Sequence, residues 1–328
     1  MADGRFAPTP SGPLHLGNLR TALLAWLFAR SAGSRFWVRV EDLDPLLAGS
    51  PLAARQLDDL AALGLDWDGP PILQSQRRSR YDDAIDRLFA AGLTYPCFCS
   101  RREIREATVA PHSAAHPEGA YPGTCRSLTA SDQRRRAAGG RRPALRLRAD
   151  TEAVTVNDRL AGPVTAVVDD VVLRRGDGTP AYNLAVVVDD ADQGVQEVVR
   201  GDDLLLSTPR QVYLARLLGL PVPGYAHVPM VLGPDGQRLA KRHGAVTLAD
   251  RAAGGESPAA VRTLLAASLG LAGPGEPVSP PVLVDRFRPD RLPRRPWLWS
   301  ASEEGSADGA EVDDVPLAAP RDERRDRH

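Results

Sequence analysis

A short polar loop near the N-terminus combines a histidine, a glycine and an asparagine ahead of a helix-like apolar pattern. The loop HLGN spans His15–Asn18 and follows a strand-like segment at Arg5–Ala7. Free backbone N–H groups and the helix dipole at such a position favour phosphate, and Gly17 permits close approach of the backbone. His15 would hold a phosphate oxygen or stabilise an α-phosphate as pyrophosphate leaves. Taken alone, a capped helix after a turn is the commoner explanation of four such residues.

Lys241 is the only lysine in a chain with 41 lysine and arginine residues and a net charge of -1. Arginine evidently meets the general need for positive charge. A single lysine therefore suggests a position that requires a compact, mobile ammonium and not a planar guanidinium. Chance survival of one lysine is the alternative interpretation.

The three cysteines lie together in a polar, turn-rich stretch, at Cys97, Cys99 and Cys125. Three cysteines cannot all pair with one another, and the expected cytoplasmic location disfavours disulfides, so metal binding is the first interpretation. The Cys-x-Cys spacing suits two ligands on one knuckle, and Cys125 supplies a third. Chemistry alone favours a histidine as fourth ligand, either His112 or His116. Three unrelated buried thiols are the alternative.

The elements around these residues predict an α/β fold built on a Rossmann-like parallel sheet. Strand, loop, helix and strand follow one another from Arg5 to Asp42, which is the opening of a doubly wound sheet. Apolar periodicity predicts helices at Leu19–Ala32, Ala53–Leu63, Tyr81–Ala91, Ser207–Gly219 and Pro258–Leu269. Strand-rich segments are predicted at Arg35–Asp42, Pro143–Asp150, Val164–Arg175 and Tyr182–Asp190, and a strand, turn and loop at Val228–Leu248.

Composition divides the chain into five stretches. Residues 1–96 and 143–271 are predicted to be two halves of one nucleotide-binding domain, with a small insert at 97–142 between them. A C-terminal extension follows at 272–299, and the acidic, arginine-tipped stretch 300–328 is expected to be disordered. Neither a secretory signal nor an apolar run of about 18 residues is present in the sequence, so we expect a cytoplasmic protein without a membrane anchor.

Five segments in a fixed order resemble the class I glutamyl-tRNA synthetases, over about residues 4–270. They read APTPSGPLHLGN, RVEDLDP, AYNLAVVVDD, VVRGDDLLLSTPRQ and GQRLAKR. The resemblance implies a class I catalytic domain in which His15–Asn18 is the HIGH motif and Arg238–Arg242 the KMSKS loop. It implies that ATP, with Mg²⁺, is bound by His15, Gly17, Asn18, Arg238 and Lys241, and that His15 and Lys241 are catalytic. Two departures stand in the KMSKS loop, where Arg238 replaces the first lysine and Ala240 the usual serine.

The same resemblance implies a partner for each charged group of L-glutamate. Arg5 would bind the side-chain carboxylate, Glu41 the α-ammonium and Arg200 the α-carboxylate, and the Tyr182 hydroxyl would complete the pocket. The entrance would be lined by Ala7, Thr9 and Ser11. Each residue also has an ordinary explanation, since most arginines form surface ion pairs of small value. Glutamine would leave the charge of Arg5 unmatched, which accounts physically for selection against it.

The match is closest to the short paralogues of this family, which implies a structural zinc ion held by Cys97, Cys99, Tyr121 and Cys125. Tyr121 matches the tyrosine of a C-x-C…Y-x-x-x-C arrangement, and His116 remains the alternative ligand. Fewer than ninety residues follow Lys241. We therefore expect no helical anticodon-binding domain.

The resemblance to the short paralogues implies activation of L-glutamate with ATP in the absence of tRNA, followed by transfer to queuosine in the anticodon stem-loop of tRNA(Asp). The alternatives are a truncated glutamyl-tRNA synthetase that charges the 3′ end of tRNA(Glu), and a catalytically silent paralogue that binds RNA. Arginines of two basic runs, Arg77, Arg78 and Arg80 and then Arg134–Arg136, are candidates to meet RNA phosphates. Solvated helix faces explain both runs equally well.

Overall fold

A computed structural model describes residues 2–104, 121–150 and 153–300. The helices are α1 (Leu16–Ser31), α2 (Pro51–Ala62), α3 (Arg78–Ala90), α4 (Ala130–Ala138), α5 (Tyr182–Asp192), α6 (Thr208–Leu217), α7 (Leu248–Ala253), α8 (Pro258–Ala267) and α9 (Pro280–Arg286). The strands are β1 (Gly4–Phe6), β2 (Phe36–Val40), β3 (Ile72–Leu73), β4 (Thr94–Cys97), β5 (Ala144–Leu147), β6 (Ala153–Asp158), β7 (Gly162–Val167), β8 (Val172–Arg174), β9 (Glu197–Gly201), β10 (Gly224–Val228), β11 (Val231–Leu232) and β12 (Trp297–Leu298). His112, His116 and the predicted disordered tail from residue 301 onward lie outside the described residues.

Two sheets meet edge to edge at β1 and β9. The first has the order β1-β2-β3 with parallel pairing, and the second the order β7-β6-β10-β9, in which β10 is parallel to both of its neighbours. The Gln196 N–H, just before β9, donates to the Asp3 carbonyl at 2.9 Å. A crevice at the carboxyl ends of two such strands is where open α/β sheets bind their ligands.

Apolar side chains on opposite faces of β9 enter two separate cores. Val199 packs with α1, α8 and α9, and Val198 packs with α3, α5 and α6. Successive residues of a strand point to opposite faces, so one strand contributes to both layers. Helices therefore cover both sides of the sheet, as the predicted doubly wound fold requires.

The segment Tyr182–Asp190 was predicted as strand-rich, and this prediction is wrong because the structure forms helix α5 there. Its residues from Leu184 to Asp190 are all buried. A short, continuous apolar run has the same pattern in a buried strand and in a buried helix, and the three valines favoured the strand interpretation. The polar end of the run, at Asp189 and Asp190, is buried against arginines from other elements.

The predicted insert is joined to the rest of the chain by an antiparallel sheet. Strand β5 pairs with β4 on one side and with β8 on the other. Cys97 is the last residue of β4 and lies opposite Ala144 of β5. Strand β6 and helix α9 were missed by the sequence analysis.

The predicted C-terminal extension is part of the main core. Leu283, Phe287 and Trp299 are buried with α1 and α8. Strand β12 pairs in parallel with β11, where the Trp299 N–H donates to the Leu232 carbonyl at 2.9 Å. Among the residues that the structure describes, no helix is both long and apolar enough to cross a membrane.

Candidate functional site

The HLGN loop forms the N-terminus of α1, and His15 is its cap. The Asn18 N–H donates to His15 Nδ1 at 3.3 Å, and the His15 N–H donates to Asn18 Oδ1 at 3.2 Å. Burial lowers the pKa of His15, so the ring is neutral near pH 7. Because Nδ1 accepts a hydrogen bond, the ring proton of the neutral form is on Nε2. His15 can therefore donate from Nε2 to a phosphate oxygen.

Gly17 permits this position of the imidazole. A Cβ atom at residue 17 would lie 3.0 Å from both Cε1 and Nδ1 of His15. Any side chain would therefore press on the ring that the cap holds in place. The requirement for glycine in the HLGN loop is one of space, which adds to the phosphate approach predicted from the sequence.

The KMSKS-like loop begins after β11 and returns beside the start of α1. The Leu16 N–H donates to the Val246 carbonyl at 2.8 Å, and His15 forms a backbone bridge with Thr247. Lys241 begins a short 3₁₀ turn, Lys241–His243, and its side chain lies outside what the structure describes. Arg238 forms an ion pair with Asp203, and both residues are reachable by solvent. The two predicted halves of the ATP site are thus joined through their backbones.

Arg5 and Arg200, the two arginines predicted to bind glutamate, lie on the adjoining strands β1 and β9 and are 3% and 5% exposed. Arg5 donates through Nε and Nη2 to the two carboxylate oxygens of Asp190, at 3.1 and 3.4 Å. Arg200 donates from Nη2 to Thr208 Oγ1 at 2.9 Å, and its Nη1 lies 3.5 Å from the Tyr182 hydroxyl. Arg200 and Tyr182 are therefore together as predicted.

Glu41 is held beside a fully buried arginine that sequence reasoning missed. Arg39 lies 3.6 Å from Glu41 and donates to Asp190 at 2.7 Å. Burial raises the pKa of Glu41, although the charges of Arg39 and Arg5 oppose the shift. The acidic pair Asp189–Asp190 in the AYNLAVVVDD segment was the available signal for a buried cation. Because the segment was interpreted as a strand, the direction in which these carboxylates point could not be predicted.

A cavity of about 660 Å³ extends from the predicted glutamate residues to the cysteine-bearing segment. Its lining includes Thr9, Glu41 and Tyr182 as well as Cys99 and Arg101. Ser11 is exposed and Ala7 is half-buried on the loop after β1. The predicted amino-acid site therefore opens into a space large enough for a second substrate group.

The three cysteines converge as the sequence predicted. Their Sγ atoms all lie within 4.8 Å of one another, and Cys99 Sγ is 3.5 Å from Cys125 Sγ. The Tyr121 hydroxyl lies 3.3 Å from Cys97 Sγ and 3.7 Å from Cys99 Sγ. Four ligand atoms around a tetrahedral zinc ion with bonds of about 2.3 Å are separated by about 3.8 Å. The donor set therefore fits one zinc ion.

The fold, the crevice between β1 and β9 and the paired nucleotide motifs define a class I tRNA synthetase catalytic domain. The family described as tRNA synthetases class I (E and Q), catalytic domain, matches residues 2–272, and the chain belongs to it. This confirms the predicted family.

Individual relatives give a more specific comparison than the family description does. The chain is 64% identical over 295 residues to a glutamyl-Q tRNA(Asp) synthetase of Nocardia farcinica, covering 90% of this chain and 92% of that protein. It is 52% identical over 307 residues to the protein of that name from Symbiobacterium thermophilum, covering 90% and 95%. A glutamate tRNA ligase from Elizabethkingia meningosepticum, solved with its amino acid, matches with a TM-score of 0.77 at 27% identity over 92% of this chain and 68% of that one.

Proposed function

We propose that the chain activates L-glutamate with ATP in the absence of tRNA and transfers the glutamyl group to queuosine in the anticodon loop of tRNA(Asp). The observation that carries this proposal is the match, over about nine-tenths of both chains, to two proteins named for glutamyl-Q tRNA(Asp) synthesis. The juxtaposition of Arg5, Glu41, Tyr182 and Arg200, together with the capped HLGN loop, supports glutamate and ATP as the substrates of the first step.

In the first step, the α-carboxylate of glutamate attacks the α-phosphate of ATP, and pyrophosphate leaves. Two pre-organised groups act on this step. Arg200 holds the carboxylate, and His15 donates from Nε2 to a phosphate oxygen as charge develops there. Lys241 supplies a further positive charge from the opposite loop, and Mg²⁺ accompanies ATP as part of the substrate.

In the second step, a hydroxyl of the acceptor attacks the carbonyl carbon of the adenylate, and AMP leaves. Queuosine carries a cyclopentene ring with vicinal hydroxyls, which resembles the 2′,3′-diol of a terminal ribose. The cavity that begins at Thr9, Glu41 and Tyr182 gives such a ring a route to the activated carbonyl.

Within the first basic run, the surroundings of Arg77 differ from those of Arg78 and Arg80. Arg77 donates to Asp189 and to Asp192, each at 2.7 Å, so its guanidinium is engaged within the protein. Arg78 and Arg80 are exposed, and helix α4 carries Arg134–Arg136 without burying any residue. We infer that the RNA backbone is met by Arg78, Arg80 and α4, so binding weakens as salt rises.

We also infer a structural zinc ion bound by Cys97, Cys99, Tyr121 and Cys125. The metal would fix the Cys-x-Cys knuckle and the Tyr121–Cys125 turn relative to the β4–β5 pair. The Cys125 N–H donates to the Tyr121 hydroxyl at 2.9 Å, and the Arg146 guanidinium stacks 3.7 Å above the Tyr121 ring. These two contacts hold the Tyr121 hydroxyl beside Cys97 and Cys99.

Glutamylation assays test the acceptor. We expect transfer of labelled glutamate to tRNA(Asp) that contains queuosine, and none to unmodified tRNA(Asp) or to tRNA(Glu). Charging of tRNA(Glu) with modified tRNA(Asp) untouched would overturn the acceptor and leave glutamate activation standing. Exchange of pyrophosphate into ATP, with glutamate and no RNA, tests the first step separately. A silent paralogue would show neither activity.

A further inference from the structure

A buried chain of hydrogen bonds links Arg200 to two residues that have no assigned role. In the register of β9 and β10, His227 lies directly opposite Arg200. Arg200 Nε donates to His227 Nε2 at 3.0 Å, and His227 Nδ1 is 2.6 Å from Asp158 Oδ2. The side chains of His227 and Asp158 are both 0% exposed. Three strands, β6, β10 and β9, therefore meet through these side chains.

Asp158 determines which nitrogen of His227 carries the proton. Its carboxylate accepts the N–H groups of Leu160 at 2.9 Å, Ala161 at 2.8 Å and His227 at 3.1 Å, in addition to the ring nitrogen Nδ1. An acceptor surrounded by donors is held as the anion, so Nδ1 of His227 carries the proton. The lone pair of Nε2 then points toward Arg200.

The ring remains neutral in this setting. Burial lowers the pKa of His227, and the charge of Arg200 acts in the same direction against the opposing effect of Asp158. A neutral ring with the proton on Nδ1 is the one form that accepts from Arg200 Nε and donates to Asp158 at the same time.

Two guanidinium nitrogens of Arg200 are thereby each held by a hydrogen bond to another side chain. Nε is bound by His227, and Nη2 donates to Thr208 Oγ1 at 2.9 Å. Nη1 remains directed to the side of the Tyr182 hydroxyl, at 3.5 Å, and Tyr182 lines the cavity. The orientation of the guanidinium beside Tyr182 thus depends on His227 and Thr208, which do not line the cavity.

We propose that His227 and Asp158 are positioning residues for substrate binding: Asp158 fixes the tautomer of His227, and His227 aims Arg200 at the carboxylate of the amino acid. The inference rests on the proposed function, because it takes Arg200 as the residue that binds glutamate. His227 and Asp158 act only through Arg200 and touch neither the substrate nor ATP.

Two substitutions of His227 separate this role from a merely structural one. In His227→Gln the amide oxygen replaces Nε2 as the acceptor for Arg200, whereas the shorter side chain of His227→Asn replaces only Nδ1. We expect His227→Asn to raise the KM for glutamate by roughly 10- to 100-fold, the value of a hydrogen bond to a charged group. His227→Gln should raise it only by a few-fold, and the KM for ATP should change by less than about two-fold in either.

Asp158→Asn tests the tautomer directly. Asp158 Oδ1 accepts the Leu160 and Ala161 N–H groups, so the amide oxygen should stay there and the amide nitrogen should face His227 Nδ1. The ring proton would then move to Nε2, against the Nε–H of Arg200. Nitrogen-15 NMR of the full-length protein should show an Nδ1–H tautomer in the wild type and an Nε2–H tautomer in Asp158→Asn. Asp285→Asn, an exposed carboxylate on α9, is the matched control.

Exchange of pyrophosphate into ATP, measured on the same proteins, distinguishes the two possible failures. A wild type without glutamate-dependent exchange contradicts the proposed function. An active wild type whose His227→Gln and His227→Asn variants share one KM for glutamate contradicts the positioning role, as does an unchanged tautomer in Asp158→Asn. If the tautomer of His227 acts through Arg200, Asp158→Asn should have a smaller effect once His227 is replaced. The KM for glutamate should therefore rise less when Asp158→Asn is added to His227→Gln than when it is made in the wild type.

Discussion

Arg5 and Asp190 form a buried ion pair in which Nε and Nη2 of the arginine face both oxygens of the carboxylate, at 3.1 and 3.4 Å. The Nε/Nη2 edge of Arg5 is thus occupied by Asp190, and Nη1 lies 3.5 Å from the Val199 carbonyl. Asp190 also accepts from Arg39 at 2.7 Å. A single carboxylate therefore holds two cations at the predicted glutamate site.

Asp190→Asn should destabilise the protein by about 3–5 kcal/mol, because it removes the negative charge that two buried arginines share. The free energy of unfolding in urea is the measurement. Asp192→Asn is the matched control on the same helix, since the Asp192 side chain is 34% exposed and pairs with Arg77 near the surface. That variant should lose less than about 1 kcal/mol. Equal losses in the two variants would mean that Asp190 does not compensate the buried charge.

Lys241→Ala should slow glutamate-dependent pyrophosphate exchange by ~10²–10³, the usual cost of removing a pre-organised donor to developing charge. Its melting temperature should not change. Lys241→Arg is the matched control, because it keeps the charge but replaces the compact ammonium with a planar group. Ala240→Ser restores the family hydroxyl and should keep or increase the rate. Normal exchange by Lys241→Ala would refute the assignment of the KMSKS loop.

Removal of the Tyr121 hydroxyl tests the zinc site and its fourth ligand together. Tyr121→Phe keeps the ring beneath Arg146 but removes the oxygen atom, so zinc should be lost to a chelator faster than from the wild type. Metal content should be one zinc per chain in the wild type and lower in Cys99→Ser. His116→Ala is the control for the alternative ligand and should behave like the wild type. The reverse order of the Tyr121 and His116 variants would assign the ligand to His116.

Two histidines, the half-buried His15 and the buried His227, should make stability fall in mild acid. Burial lowers the pKa of His15 and of His227 from the ordinary histidine value of 6.5, so the unfolded chain binds more protons than the folded one below that pH. Stability is therefore lost as pH falls through about 6.5, toward the lower folded-state values. His227 faces Asp158, Arg200, Tyr225 and Asp202.

The free energy of unfolding of the wild type should accordingly be smaller at pH 5.5 than at pH 7.5, if both values are read from urea titrations. His227→Gln should show a shallower fall over this range, because its side chain does not titrate. An equal fall in the wild type and in His227→Gln would show that His227 keeps its unfolded-state pKa.

Strand β12 should matter to stability, although it lies beyond the matched family segment. A chain that ends at Ser300 should keep the melting temperature and the exchange activity of the full chain. A chain that ends at Arg295 loses Trp297, Leu298 and the buried Trp299, and it leaves β11 unpaired. Loss of one buried tryptophan alone costs about 3–5 kcal/mol. Equal melting temperatures for the two chains would contradict this role of β12.

Local patterns predicted the elements that carry strong periodicity or caps. The structure begins α1 at Leu16, three residues before the predicted Leu19, because His15 and Asn18 close a capping box ahead of the apolar pattern. Helix α5 was missed because burial on all sides removes the periodicity that distinguishes a helix from a strand. The residues that bind ATP and glutamate were predicted from the order of the family motifs along the chain, and not from local periodicity.

Long-range pairing was beyond the reach of the sequence. Asp158 and His227 are 69 residues apart and meet only because β6 and β10 are neighbours in the sheet. The one available signal was a polar residue within the apolar strand at GYAHV. The cysteine cluster was easier to predict from the sequence, because a metal site built on thiols has few candidate ligands in this chain.

The KMSKS-like loop is tied down at both ends. Leu232 is held by β12 before the loop, and Val246 is held by the first residue of α1 after it. Between these anchors, residues 233–239 turn back onto β11, where the Leu239 N–H donates to the Val231 carbonyl at 3.2 Å. Residues 240–245 therefore form a short connection that is fixed at both ends. Ordering a loop with two fixed ends around ATP costs less chain entropy than ordering a segment with one free end. An insertion or deletion in this connection would change the position of Lys241 relative to His15. The backbone contacts at Leu232 and Val246 would remain.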